Sequence, residues 1–155
     1  MCGQLGLFLS TFINKIDKKG RVSVPATFRA ALSQEDFQGI VVFRSYTQEA
    51  LEGVGMSSMD VMADRMDDNF AFFSDDHDEM ATVLFGESVQ LAFDGDGRIT
   101  LPQELMESIG LDGQVAFVGL GRKFQMWDPK MLDARKVDAR RRVQDKKMTL
   151  PKGNV

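Results

Sequence analysis

The sequence predicts an α+β fold that is mainly β-sheet and contains one structural unit twice. Residues 17–32 and 94–109 share a pattern at a constant offset of 77 positions, which is the signature of a tandem duplication. Short runs of β-branched and aromatic residues surround both copies, which is typical of strands. The identical pairs are Asp17/Asp94, Gly20/Gly97, Arg21/Arg98 and Pro25/Pro102.

The first unit is expected to run strand, turn, strand, helix and then two further strands. Gly20 ends a turn in which a positive φ is needed. Residues 21–24 alternate polar and apolar side chains, which predicts one buried face. Phe28 and Leu32, four positions apart, form the inward stripe of the helix. The expected strands are residues 8–16, 21–24, 40–43 and 46–51, and the helix begins at Pro25.

The second unit is expected to repeat this order. Its helix turns Leu105 and Ile109 inward and ends at Gly110 as a C-cap. Trp127 lies in an apolar strand, which favours a core role over a stacking platform, and Asp128-Pro129 ends the sheet. The expected strands are residues 89–93, 98–101, 115–118 and 124–127, with a turn at 94–97 and a helix at 102–109.

The segment between the units has helical spacing over residues 57–68 and 74–85, with Ser57 and Ser74 as N-caps. Four methionines of the first helix favour flexible packing, with an adaptable subunit contact as the alternative. Residues 131–155 are expected to form a charged helix that frays or a disordered arm. Its basic residues are either a solvated surface or an arm that contacts phosphates or an acidic neighbouring subunit. The methionines are Met56, Met59, Met62 and Met66.

The composition is that of a globular protein, since 43% of the 155 residues are apolar and 27% are charged. Cys2 is the only cysteine, which excludes an internal disulfide and suits a reducing compartment. The apolar run at 5–13 is too short for a bilayer and lacks the features of a signal peptide, so a cytoplasmic protein is expected. The net charge of −4 argues against a simple polyanion binder, although the segment from Ala134 onward is strongly basic.

The repeated Asp-x-x-x-Arg turn predicts a recognition surface. Arginine offers a planar fork of donors that matches phosphate oxygens or the edge of guanine. An acid across the turn can hold the guanidinium in one rotamer and so lower the entropy lost on binding. The alternative is a structural hairpin with a solvated salt bridge. We expect the first turn to attract phosphate more strongly, because Lys15, Lys18, Lys19, Arg21 and Arg29 gather around it.

Calcium binding and catalysis have weaker support. Asp94 and Asp96 would fall on EF-hand ligand positions, but the final position is Gln103, where a bidentate Glu is needed, and Pro102 interrupts the loop. His77 is the only histidine, and its acidic surroundings predict a solvated helix face. We therefore expect no metal, no cofactor, no small-molecule substrate and no enzymatic activity.

The order strand, Asp-x-Lys-Gly-Arg, hydrophobic-x-hydrophobic-Pro and a helix with Phe28-Arg29 resembles the SpoVT/AbrB DNA-binding domain. Two copies, with the segment 115–129 after the second, resemble the MraZ family over residues 8–130. The resemblance implies two intertwined half-barrels that form a pseudo-dimer by exchanging hairpin-like elements. The implied domains are residues 9–55 and 86–129, with a helical connector at 56–85 and a basic tail at 130–155.

The same resemblance implies a DNA-binding transcription regulator, usually a repressor, of the division and cell-wall gene cluster that includes its own gene. Such proteins bind short direct repeats in double-stranded promoter DNA as ring-shaped homo-oligomers, which implies association with the nucleoid and none with a membrane. The alternative is a protein-interaction or assembly module that uses the same barrel without DNA contact. The expected DNA-binding residues are Lys15, Asp17, Lys18, Lys19, Arg21, Arg29, Asp94 and Arg98.

Overall fold

The computed structural model describes residues 6–153, which form an α+β fold that is mainly β-sheet, as predicted. Cys2 lies outside the described residues. In the first unit the elements are β1 (Thr11–Lys15), β2 (Arg21–Ser23), α1 (Ala26–Ala31), β3 (Gly39–Arg44) and β4 (Leu51–Val54). The connector contains α2 (Met56–Asn69), α3 (Asp75–Ala81) and a π-helical turn (Thr82–Gly86). The second unit contains β5 (Val89–Ala92), β6 (Arg98–Thr100), α4 (Gln103–Ser108), β7 (Gln114–Gly119), β8 (Phe124–Trp127) and α5 (Pro129–Asp145).

The two units exchange strands. An antiparallel six-stranded sheet has the order β1-β7-β8-β4-β3-β5, so the first strand of each unit extends the other unit's hairpin. Strands β2 and β6 form a separate antiparallel pair, which we call the β2–β6 ribbon. A unit of about 45 residues is near the lower limit for independent folding, and this exchange gives both units one shared core.

The strand registers relate the two units by an approximate twofold axis. In the β2–β6 ribbon, Val22 lies opposite Ile99, which is its counterpart in the sequence repeat. In the six-stranded sheet, Glu52 lies opposite Gln125 at the equivalent position of β8. The axis therefore passes through the middle of the ribbon and the middle of the sheet.

One face of the six-stranded sheet packs against the ribbon, α1 and α4. Phe28 is fully buried there, and its ring packs on those of Phe8 and Phe124 at centroid distances of 5.2 and 5.1 Å. Val22 and Ile99 belong to the same core cluster and cover it from the ribbon side. Burial of Phe28 confirms the inward stripe predicted for this helix.

The opposite face of the sheet is covered by α2 on one side and α5 on the other. Met59 of α2 packs on Phe43, and Leu132 of α5 packs beside Trp127, so Trp127 is a core residue as predicted. Of the two alternatives for the tail, the charged helix is the one observed: Asp128 caps the 17-residue α5 by accepting the Met131 N–H, and the helix ends at Asp145. Among residues 6–153, no helix has both the length and the apolar character needed to cross a membrane.

Three expectations about local structure are wrong: the strand at 46–51, the N-cap at Ser57 and the place of His77. The segment 46–50 is a turn rather than a strand, because the Ser45 hydroxyl accepts the N–H groups of Thr47 and Gln48, and β4 begins only at Leu51. Ser57 does not cap α2; its N–H donates instead to the Glu35 carboxylate at 2.8 Å, whereas Ser74 caps α3 as predicted.

The expected place of His77 on a solvated face is wrong. Its side chain is largely buried, packs on the Phe72 ring and lies 2.9 Å from the Asp67 carboxylate through Nε2. This pair joins α3 to α2 across the turn between them. No local sequence pattern indicates this pair, because Asp67 and His77 are ten positions apart.

Candidate nucleic-acid interface

The turn before β2 is organised by the carboxylate of Asp17. Its Oδ1 accepts the backbone N–H groups of Lys19 and Arg21, both at 2.9 Å. Its Oδ2 accepts Nε of Arg21 at 2.6 Å, which fixes the guanidinium beside the turn. One acid thus holds both the backbone of the turn and the orientation of the arginine.

The turn before β6 has the same geometry. Oδ1 of Asp94 accepts the N–H groups of Asp96 and Arg98 at 2.8 and 2.9 Å, and Oδ2 accepts Nε of Arg98 at 2.9 Å. A positive φ is required at the fourth residue of each turn, where Gly20 and Gly97 have φ of +85° and +75°. The positive φ predicted for Gly20 is confirmed, and Gly97 adopts the same conformation in the turn predicted at 94–97.

These contacts lower the pKa of both acids. The N–H of Arg21, donated to the carboxylate, is the main cause of the lowered pKa of Asp17, with a smaller contribution from the guanidinium. The N–H of Arg98 has the same effect on the pKa of Asp94. Both carboxylates are therefore ionised at neutral pH, and in that form they accept the hydrogen bonds from Arg21 and Arg98.

The β2–β6 ribbon presents both arginines on one surface. Arg21 pairs with Thr100 and Arg98 pairs with Ser23, so the four side chains share the face opposite to buried Val22 and Ile99. Strand geometry places the two arginine Cα atoms about 8 Å apart along the diagonal. The side chains of Arg21 and Arg98 are 37% and 31% exposed, which leaves them accessible to a ligand.

The outer nitrogens distinguish the two arginines. Of the three guanidinium nitrogens of Arg21, only Nε contacts Asp17. Within residues 6–153, Nη1 and Nη2 of Arg21 have no ion-pair or hydrogen-bond partner. In the second turn, Nη2 of Arg98 lies 3.4 Å from the Asp96 carboxylate. The first arginine therefore offers a free donor fork, and the second is partly occupied.

The other basic residues are distributed differently from the sequence prediction. Lys18 and Lys19 lie exposed at the tip of the first turn, as expected. Arg29 lies beside the second turn instead, because its guanidinium carbon is 2.7 Å from the position that a β-carbon on Gly97 would take. The cause is the ribbon, which brings the start of α1 next to the turn of the other unit.

Lys15 is also separated from the expected group. Strand alternation puts it on the same face of β1 as Thr11, whose hydroxyl accepts Nζ of Lys136 in α5 at 2.7 Å. This face is directed away from the β2–β6 ribbon. The expectation that Lys15 joins the first turn is corrected.

Two hydroxyl residues on the ribbon surface were missed by the sequence prediction. Ser23 and Thr100 are exposed and lie between the arginines. Asn14 supports this arrangement by donating Nδ2 to the Ser23 carbonyl at 2.7 Å. The alternation at 21–24 already contained the signal, since the residues two positions after each arginine share its face.

The two acids of the second turn, Asp94 and Asp96, both contact Arg98. Both oxygens of Asp94 accept hydrogen bonds, and Asp96 is turned toward Arg98. Among residues 6–153, no group of three or more His, Cys, Asp or Glu side chains is arranged to hold a metal ion.

Comparisons with known proteins identify relatives along nearly the whole chain. Residues 84–134 match a family described as "MraZ protein, putative antitoxin-like". The chain is similar to the transcriptional regulator MraZ of Rickettsia bellii (strain OSU 85-389), with 41% identity over 97% of this chain and 100% of the relative. The proteins of that name from Rickettsia akari and Rickettsia canadensis are 38% and 37% identical, again over 97% of this chain and their full length.

Proposed function

Because this chain belongs to the MraZ family of transcriptional regulators, we propose that it binds double-stranded promoter DNA through the β2–β6 ribbon. The observation that supports this most is the pair of arginines held by Asp17 and Asp94 on one exposed face. A two-stranded ribbon fits the major groove, where an arginine fork can pair with guanine or with flanking phosphates. The role is non-enzymatic and places the protein at the nucleoid.

The strand exchange supports a finer description of the fold. We propose two intertwined SpoVT/AbrB-type half-barrels, formed by residues 9–55 and 86–129, that act as a pseudo-dimer around the approximate twofold axis. The ribbon at this axis takes one strand from each unit, so neither unit alone can present both arginines. Residues 56–85 and 130–155 then serve as connector and tail.

Each ribbon offers few contacts, so several ribbons are needed for tight binding. We propose that a ring of copies binds short direct repeats in one promoter, where linked contacts raise the affinity without new chemistry. The proposed target is the promoter of the division and cell-wall gene cluster, including the gene for this chain, and the proposed outcome is repression. Occupied repeats would exclude polymerase from that promoter.

The test is binding to a DNA fragment from upstream of the chain's own gene, with the repeats intact or scrambled. The variant Arg21→Ala/Arg98→Ala should lose about tenfold or more in affinity per arginine for the intact repeats. Arg44→Ala/Lys130→Ala is the matched control, because it removes the same charge from exposed positions outside the ribbon and outside residues 56–81. Equal affinity of the parent and the ribbon variant would overturn the proposal.

An assembly module that does not contact DNA is the second candidate. The connector favours it, because residues 56–81 contain eight Asp or Glu and one Arg, an exposed net charge of −7 that repels DNA. The same binding assay at about 0.15 M salt separates the two candidates. Failure of the parent chain to prefer intact over scrambled repeats would favour the assembly module.

A further inference from the structure

Helices α2 and α5 are equivalent elements with opposite charge. Each begins directly after the last strand of its unit, β4 or β8, and the approximate twofold axis relates those strands. Residues 56–81, which we call the acidic connector, have a net charge of −7. Residues 129–153 contain nine Lys or Arg and three Asp, a net charge of +6. The two sides of one molecule are therefore complementary to each other.

The acidic charge lies on one face of α2. Asp60, Asp64 and Asp68 are spaced four apart, so they form a stripe along the helix, and all three are exposed. Two exposed aromatic rings, Phe72 and Phe73, follow Asp68 by four and five positions, in the turn before α3. Phe73 is 91% exposed and Phe72 is 60% exposed, and the rings pack on each other at 4.9 Å. Together the two rings form a small exposed apolar surface that a partner could cover.

The second half of α5 has a matching surface. Leu132 anchors the first half on the sheet, whereas every residue from Arg140 to Leu150 is exposed. A shallow groove on this helix is lined by Lys136, Ala139, Arg140, Val143 and Gln144. A solitary helical segment of this length is only marginally stable in water, so a packing partner would stabilise it.

We propose that the acidic connector of one copy docks on the second half of α5 of another copy. The stripe of Asp60, Asp64 and Asp68 would face Arg140 of α5 and Lys147, which lies two residues after the end of α5. Phe73 would cover the groove at Val143. The contact is head-to-tail, so a row of copies has an unoccupied connector at one end and an unoccupied α5 at the other. When the rotation between neighbouring copies brings these two ends together, they bind each other and close a ring. This inference rests on the ring assembly in the proposed function and names its interface.

The location of the contact is compatible with DNA binding. Helices α2 and α5 cover the face of the six-stranded sheet opposite to the β2–β6 ribbon. Copies joined through these helices keep their ribbons free. Interface and DNA surface can thus be tested separately.

The experiment measures the mass of the full chain in solution without DNA, by sedimentation velocity. Asp64→Lys/Asp68→Lys reverses two charges on the connector, and Arg140→Glu/Lys147→Glu reverses two charges at the C-terminal end of α5 and just after it. Each variant alone should move toward the monomer of 17.3 kDa, with assembly weakened at least about tenfold, because like charges then face each other. Mixed in equal amounts, the two variants should restore the mass of the parent, since each reversed surface meets its complement on the other variant.

Lys152→Glu is the control, because it reverses an exposed charge five residues beyond Lys147, outside the proposed contact, and should keep the parent mass. Near-UV circular dichroism must show that both reversed variants keep the packed core around buried Trp127, and Phe73→Ser provides an uncharged route to the same loss. The proposal is overturned if the parent is monomeric, if the reversed variants keep the parent mass, or if their mixture stays dissociated. Arg21→Ala/Arg98→Ala should retain the parent mass, so a failure of DNA binding is distinguishable from a failure of this interface.

Discussion

Glu52 lies directly opposite Gln125 in the six-stranded sheet, and Gln125 Nε2 is 3.2 and 3.1 Å from the two carboxylate oxygens. Lys123 Nζ adds a contact at 2.9 Å, and Gln125 Oε1 accepts Nε1 of Trp127 at 2.9 Å. These positions are equivalent in the two units, and a glutamate at both would bring two buried carboxylates together. The Glu–Gln pair avoids that repulsion where the units meet.

The first prediction is that Gln125→Ala destabilises the protein by about 2–4 kcal/mol. The substitution leaves a buried carboxylate with one partner and removes the acceptor of the Trp127 N–H. Urea unfolding at fixed protein concentration measures the loss. Gln90→Ala, an exposed strand glutamine, should change the free energy of unfolding by less than about 0.5 kcal/mol. Equal effects of the two substitutions would show that the pair is unimportant.

The second prediction compares three glycines. Gly20→Ala should cost at least about 2 kcal/mol, because its φ is +85° and the new β-carbon would lie 2.7 Å from the Leu101 carbonyl oxygen. Gly97→Ala should cost about 1 kcal/mol, because the group it meets is the movable Arg29 side chain. Thermal unfolding ranks the variants. Gly95→Ala, with open space around it, is the control, and a loss as large as that of Gly20→Ala would contradict the steric argument.

Local chemistry explains what the sequence could predict. The turn at 17–20 is encoded by an acid, a glycine and an arginine within five positions, so its strands and its paired Asp and Arg were foreseeable. The same is true of the helix that follows Pro25. The hydrogen bonds made by the Asp17 side chain all join residues within four positions of each other.

Contacts between distant segments explain the remainder. Arg29 lies at the turn of the other unit only because β2 pairs with β6 in one register. Glu35 replaces Ser57 as the partner of the α2 N-terminus, although 22 positions separate them. Periodicity and propensity describe single segments, so they do not specify which segments exchange places.

The third prediction concerns pH. The pKa of Asp17 is lowered mainly by the Arg21 backbone N–H, so its carboxyl signal should titrate below the ordinary value of 3.8. A lowered pKa in the folded state means that the contribution of the turn to stability is present above pH 3.8 and is lost as the pH falls through the folded pKa. NMR titration of the side-chain carboxyl carbon measures this midpoint.

The variant Arg21→Ala tests the cause of this shift. It retains the backbone N–H, so the Asp17 midpoint should remain below 3.8. A return of the midpoint to 3.8 or above would show that the guanidinium, rather than the turn, lowers the pKa. Asp94 provides the internal reference, since its turn is unchanged in this variant and its pKa is lowered in the same way.

The fourth prediction is that Arg21→Ala weakens promoter binding more than Arg98→Ala, and that Asp96→Lys reduces this difference. Asp96 occupies Nη2 of Arg98 at 3.4 Å and opposes phosphate, whereas the corresponding position of the first turn is Lys19. Asp96→Lys should raise affinity and steepen the salt dependence by about one unit per added phosphate contact. Anisotropy titrations over a range of salt concentrations measure both effects. Glu87→Lys makes the same charge change two residues before β5, at the opposite end of that strand from Asp96, and should leave the salt slope unchanged. An equal increase there would mean that net charge alone determines affinity.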